Sequence, residues 1–167
     1  MITGHAADRI RAHLARISDL YYRLVLVVGP SGCGKATVLR AIGKAEGAPV
    51  LPVGIEVARR LLYLSERQRV LQLPSILQEA AASLQPEMTL LDNTEVPFSP
   101  VLKQDSLRLL QRISRNRTVI GSWQGCISAG QLILCCSRQF RVPTISTEDL
   151  LMVVLTETRR SYSTRVD

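Results

Sequence analysis

Aromatic side chains make up only 4% of this 167-residue chain, and histidine occurs twice. With so few rings, no interleaving of basic and aromatic residues marks a surface for stacking bases. The two histidines, His5 and His13, and the four cysteines, Cys33, Cys126, Cys135 and Cys136, include no Cys-x-x-Cys pair. Zinc is therefore not expected. Cys135 and Cys136 are adjacent in an apolar run and read as buried thiols. The longest apolar runs, "LVLVV" and "LLMVVL", are too short to span a bilayer. The N-terminal "MITGHAADRIRAH" lacks the apolar centre of a signal peptide. The expectation is a soluble, cytoplasmic protein with no membrane association.

A hydrophobic fraction of 46% can furnish a core and excludes wholesale disorder. The length suits a single domain over residues 1–167. The net charge is +7, and such a surface attracts nucleic acid or acidic partners. A solvated basic surface explains the charge equally well, so DNA stands as one open partner.

No internal repeat, low-complexity tract or linker interrupts the chain. Residues 7–20 set Ile10, Leu14 and Ile17 at helical spacing. "RLVLVV" (23–28) is a nearly continuous apolar run, as expected of a buried parallel strand. A helix is expected over Lys35–Glu46, a strand in "APVLPVG", and helices over about Glu56–Tyr63 and Ser75–Leu84, the latter with Pro74 at its start. "MTLLDN" (88–93) is the next strand, followed by an amphipathic stretch over Lys103–Ser114. "RTVIGSW" and "QLILCCS" are too closely spaced for a parallel crossover, so a hairpin or a tight irregular link joins them. "EDLLMVVL" reads as a final strand. Strands alternating with helices predict an α/β, three-layer P-loop NTPase-like sandwich around a mainly parallel sheet. Too little chain remains for a helical lid domain.

The functional signal lies in "VVGPSGCGKATVL". It follows an apolar strand, opens a helix, and matches the phosphate-loop pattern G-x-x-x-x-G-K-[ST] at every required position except the last, which is Ala36. Gly29, Gly32 and Gly34 let the backbone turn closely enough for successive N–H groups to face phosphate oxygens. The helix that follows aims its positive end at the same anion. Lys35 supplies an ammonium for the outer phosphates. The candidate nucleotide-binding residues are thus Gly29, Pro30, Ser31, Gly32, Cys33, Gly34, Lys35, Ala36 and Thr37.

Asp92 ends the "MTLLD" strand and resembles the Walker B acid that holds Mg²⁺ directly or through water. An ordinary turn-forming Asp-Asn pair is the plainer alternative. One strand intervening between the two motifs suits the additional-strand class of P-loop ATPases. There the strand after the acid carries a polar sensor, which makes Ser122 a candidate, with Gln124 as the alternate. The class normally has Glu directly after the acid to polarise the attacking water. This chain has Asn93, which can orient a water but cannot take its proton. Glu95 is the nearby carboxylate that could substitute. No NKxD-like base-selecting motif is present, which favours ATP over GTP.

The segments "GPSGCGKA", "LLDNTEVPFSPVLKQDSLRLLQ" and "SRNRTVIGSWQG" together resemble BrxF, the small P-loop protein of type III BREX phage-defence systems. The resemblance spans most of the chain. Its more specific cues are the Asp-Asn-x-Glu step at Asp92–Glu95, the "LKQD" helix entry and the "SRNRT" lead into the sensor strand. It implies a bacterial cytoplasmic ATP-binding component that works beside a larger ATPase, a DNA methyltransferase and a phosphatase-like protein. It does not by itself imply hydrolysis. Ala36 departs from the general motif, because the missing hydroxyl normally ligates Mg²⁺. Thr37 is adjacent but in the usual geometry faces the inner phosphate. A water could fill the place.

ATPases of this class often borrow an arginine from a neighbouring subunit. Arg115 and Arg117, just before the sensor strand, are the candidates, and a nucleotide-dependent homo-oligomer is the corresponding expectation. Arg59–Arg60 is a second pair. Solvent-facing arginines complementing a helix end are the alternative. Three functional readings follow: a weakly hydrolysing ATP-dependent switch in a defence assembly; a non-hydrolysing scaffold or DNA-associated module; and a small-molecule P-loop kinase. Lys35, Asp92, Glu95, Arg115, Arg117 and Ser122 are the candidate catalytic residues, and Asp92 the candidate metal ligand.

Overall fold

The computed structural model describes residues 2–84, 87–94, 97, 99, 102–128, 131–134 and 150–155. Among them the chain order is α1 (Ile2–Leu14), a 3-10 turn (Ile17–Asp19), β1 (Leu24–Gly29), α2 (Lys35–Glu46), β2 (Val50–Pro52), α3 (Val53–Leu61), α4 (Glu66–Ala82), β3 (Met88–Asp92), α5 (Ser106–Ser114), β4 (Thr118–Ser128), β5 (Gln131–Leu134) and β6 (Leu151–Val154). The sheet runs β2-β3-β4-β1-β6 with every pairing on this path parallel. β5 lies off the path, antiparallel to the far end of β4. The close spacing of "RTVIGSW" and "QLILCCS" is thus resolved as the hairpin alternative.

β1 is buried along its whole length because it is covered on both faces. Alternation then sorts its side chains into two cores. Leu24, Leu26 and Val28 join Leu51, Leu91 and Trp123 beneath α3, α4 and α5. Val25 and Val27 join Leu90, Ile120 and Val153 beneath α1 and α2, whose Ile10, Leu39 and Ile42 are fully buried. The architecture is therefore α/β, an open and mostly parallel sheet with helices on both faces.

Several boundaries differ from expectation. The first helix ends at Leu14 instead of Leu20, and Ile17 is buried from the 3-10 turn. α3 begins at Val53, earlier than the expected Glu56. α5 begins at Ser106 rather than Lys103, because Asp105 caps it by accepting from the N–H groups of Leu107 and Arg108 (3.1 Å each).

The largest correction concerns Pro74, which sits inside α4 and not at its start. The helix begins at Glu66 because Ser65 and Gln68 form a reciprocal capping box: Gln68 N–H donates to Ser65 Oγ (3.4 Å) and Ser65 N–H donates to Gln68 Oε1 (2.9 Å). Proline removes the donor that would serve the carbonyl four residues back. That carbonyl, on Val70, instead accepts from Gln104 Nε2 at 2.7 Å. Arginines close two helix C-termini. Arg69 Nε donates to the Leu61 and Leu64 carbonyls at the end of α3 (3.0 Å each). One terminal nitrogen of Arg117 donates to Ala81 O, to Leu84 O (3.3 Å) and to Thr89 Oγ1 (2.8 Å), tying the end of α4 to β3.

Candidate functional site

The loop Pro30–Gly34 leaves the C-terminal end of β1 and feeds directly into α2. Gly32 and Gly34 have φ of 77° and 96°, a left-handed backbone that strains any residue with a Cβ. Gly34 is the N-cap of α2 and offers no side chain to its first N–H groups. The first N–H groups of a helix have no partner within the helix itself.

Lys35 is the first residue of α2 and only 8% exposed. Its Nζ donates to the carbonyls of Gly29 (2.9 Å) and Pro30 (2.6 Å) and lies 3.9 Å from Cys33 Sγ. Among the described residues it has no acidic partner. A nearly buried ammonium is normally paired with an anion. Here two neutral carbonyls stand in, at the start of α2, whose positive end also favours negative charge. Ala36 is half-buried and brings no oxygen, while Thr37 is exposed.

Asp92 ends β3, half-buried, with its Oδ1 accepting from Asn93 N–H (2.8 Å). β4 lies between β3 and β1, so the loop and Asp92 are separated by one strand. The registers Leu91↔Gly121 and Leu26↔Gly121 set Asp92, Ser122 and Val27 at the same height, near the sheet edge where the loop begins. Leu90, Ile120 and Val27 face α2, so alternation turns Asp92 and Ser122 to that same side. Ser122 is 2% exposed, and its carbonyl accepts from Thr94 Oγ1 at 2.7 Å. The two hydroxyls are 3.5 Å apart. Thr94 was not singled out from the sequence. Its only sequence signal is its place between Asn93 and Glu95.

Asn93 adopts a left-handed backbone with φ 55°. A Cβ on Gly54 would lie 2.6 Å from Asn93 Nδ2 and 3.0 Å from Asn93 O. The Asn93 side chain is therefore packed against the first turn of α3. Glu95 lies outside the described residues, as do Cys135 and Cys136. Cys33 is half-buried and Cys126 exposed.

Arg115 and Arg117 precede β4, at the end of the sheet opposite the loop. Arg115 is exposed and stacks over the Tyr21 ring at 5.2 Å. Arg117 is held by the α4 carbonyls. Neither is brought to the loop of its own chain. Of the other pair, Arg60 reaches Ile76 O (3.4 Å) and Glu79 (3.8 Å), while Arg59 lies 3.9 Å from Glu56 on the surface.

The donor set suits a polyphosphate: two left-handed glycines, the start of α2 and a poised ammonium. For Mg²⁺ the chain offers the Asp92 carboxylate and no hydroxyl at Ala36. Among the described residues no three His, Cys, Asp or Glu side chains cluster around a metal position. Such a set fits an ion held mainly by water and by the phosphates themselves. No helix among the described residues is long and apolar enough to cross a membrane. No family model matches the chain, and no curated protein matches it.

Proposed function

We propose that the chain binds ATP at Gly29–Thr37 and acts as a weakly hydrolysing P-loop component of a BREX-type anti-phage assembly. The observation that carries the binding is the nearly buried Lys35 ammonium, which has no acidic partner among the described residues and rests on the Gly29 and Pro30 carbonyls beside the start of α2. Phosphate oxygens are better acceptors for it than neutral carbonyls, because charge-assisted bonds are about twice as strong. The strand order, with β4 between the loop strand and the Asp92 strand, supports the additional-strand class of P-loop ATPases. Ser122 at the height of Asp92 supports a sensor role. The assembly follows from the resemblance at Asp92–Glu95, "LKQD" and "SRNRT", and includes a larger ATPase as partner.

An ATP titration with and without Mg²⁺, read by thermal unfolding, tests the binding. Nucleotide at about a hundred times its Kd adds roughly 2.7 kcal/mol, a rise of roughly 5–11 °C for a chain of this size. Lys35→Ala should abolish the rise. No shift at millimolar nucleotide in either protein overturns the reading.

A non-hydrolysing nucleotide-dependent scaffold is the second reading. It is favoured by Ala36 and by Asn93, whose amide packs on Gly54 in place of a water-activating carboxylate. Phosphate release measured on the nucleotide-bound protein separates the two.

A further inference from the structure

A cavity of about 400 Å³ opens between the first two turns of α4 and the residues that lead into α5. Its walls carry three cations, Arg67, Arg69 and Lys103, and one acid, Glu66. Its apolar surface comes from Leu71 and Leu102, beside Val70. Among the described residues none of the three cations has an acidic partner. Arg69 is fixed in place by its bonds to the Leu61 and Leu64 carbonyls. The opposite wall is fixed to α4 by the Gln104–Val70 bond. Leu71 is 69% exposed, and the turn into α4 shows Leu62 (66%) and Tyr63 (88%) to solvent. Three like charges around one opening repel each other, and water-exposed leucines forgo their burial energy. One ligand that is both anionic and apolar answers both features.

We propose that this cavity is a docking site for an acidic segment of a partner protein, whose carboxylates meet Arg67, Arg69 and Lys103 while an aliphatic side chain enters against Leu71 and Leu102. Nucleic acid fits less well. Among the described residues no ring lines the cavity for base stacking, and Val70, Leu71 and Leu102 give it an aliphatic part that a sugar-phosphate backbone leaves unmatched. A peptide with alternating acids and leucines satisfies both halves of the site. This surface is separate from the Gly29–Thr37 loop and does not depend on the nucleotide reading.

The test is fluorescence anisotropy of labelled short peptides titrated with the full chain. The probe peptide carries Asp and Glu interspersed with Leu. One control replaces its acids by Asn and Gln, another replaces Leu by Ser, and a single-stranded oligonucleotide is the third. The probe peptide should bind, with affinity lost by about tenfold or more for either altered peptide and for Arg67→Glu or Leu71→Asp. Lys103→Gly gives the sharper control. Lys103 has a left-handed backbone (φ 50°), so glycine relieves strain while removing the charge. That variant should melt at or above the parent temperature and still bind the peptide more weakly. No binding of the probe peptide, binding indifferent to these variants, or an oligonucleotide that binds in preference and is lost with the same variants overturns the proposal.

Discussion

Gln104 Nε2 donates to the carbonyl of Val70, the one that Pro74 deprives of its helical partner. A side chain from the segment entering α5 thus repairs α4, and couples two elements that share no strand. Gln104→Leu should cost about 1–3 kcal/mol, because the carbonyl is left without a donor. In a Pro74→Ala background the helix regains its own N–H, and the same Gln104→Leu change should cost only a few tenths of a kcal/mol. Urea denaturation of the four proteins measures the coupling. Additive effects would show that Gln104 acts elsewhere.

Arg117 and Arg115 should behave differently despite their shared motif. Arg117 closes the end of α4 and reaches Thr89, so Arg117→Ala should lower stability by about 2 kcal/mol, with Arg117→Lys recovering only part. Arg115 is exposed over Tyr21, and its removal should cost about 0.5–1 kcal/mol. Both lie opposite the loop of their own chain, so only a neighbour's site could use them. Arg115 is the one left accessible for it. If turnover needs a neighbour, specific activity rises with protein concentration, nucleotide favours a larger species, and Arg115→Ala abolishes the rise while leaving ATP affinity intact. Light scattering alongside a concentration series reads this. A monomer with concentration-independent turnover removes the role.

Alternation and motif spacing made much of this molecule legible. "RLVLVV" reads as a two-sided buried strand because the five residues Leu24–Val28 are all apolar, and all five are buried in the sheet. The strand-loop-helix setting of Gly29–Thr37 follows from the same run. What escaped sequence reading depends on partners distant in the chain. Pro74 looks like a helix start until Gln104, thirty residues on, supplies the missing donor. Thr94 is an unremarked turn residue until β4 brings Ser122 beside it. Arg117 looks like a free cation until α4 ends over it. None of these pairings has a local periodicity to announce it.

His13 gives the stability a pH dependence of known sign. It lies near the end of α1, half-buried, with the backbone of Met152 in β6 acting on its ring. Burial, followed by the nearby Arg16, lowers its pKa below the ordinary 6.5; the Met152 backbone opposes this and Arg9 adds to it. The unfolded chain therefore binds more protons than the folded one between the lowered value and 6.5. The stabilising contribution is complete above pH 6.5 and is lost as pH falls through the folded pKa. His13→Gln should flatten the melting temperature over pH 5.5–7 relative to the parent chain. Parallel curves would show that another group governs this window.

Ala36 and Asn93 bear on different steps, and restoring each should have a different signature. Ala36 is half-buried in the first turn of α2, where a threonine hydroxyl could reach a metal beside the phosphates. Ala36→Thr should therefore strengthen the Mg²⁺ dependence of ATP binding, and raise phosphate release only modestly. Asn93→Glu restores a proton acceptor, for which general-base catalysis is worth about 10²–10⁴ in rate. Its left-handed backbone and its contact with Gly54 work against the substitution, since glutamate tolerates φ 55° less well than asparagine. Asn93→Glu should thus lose stability, by roughly 1–3 kcal/mol. It should gain turnover only if the carboxylate turns from Gly54 toward the loop. Phosphate release assayed well below each melting point distinguishes the two effects. Turnover unchanged in both variants, with ATP affinity intact, would favour the non-hydrolysing scaffold, and a metal response unchanged in Ala36→Thr would remove residue 36 from metal control.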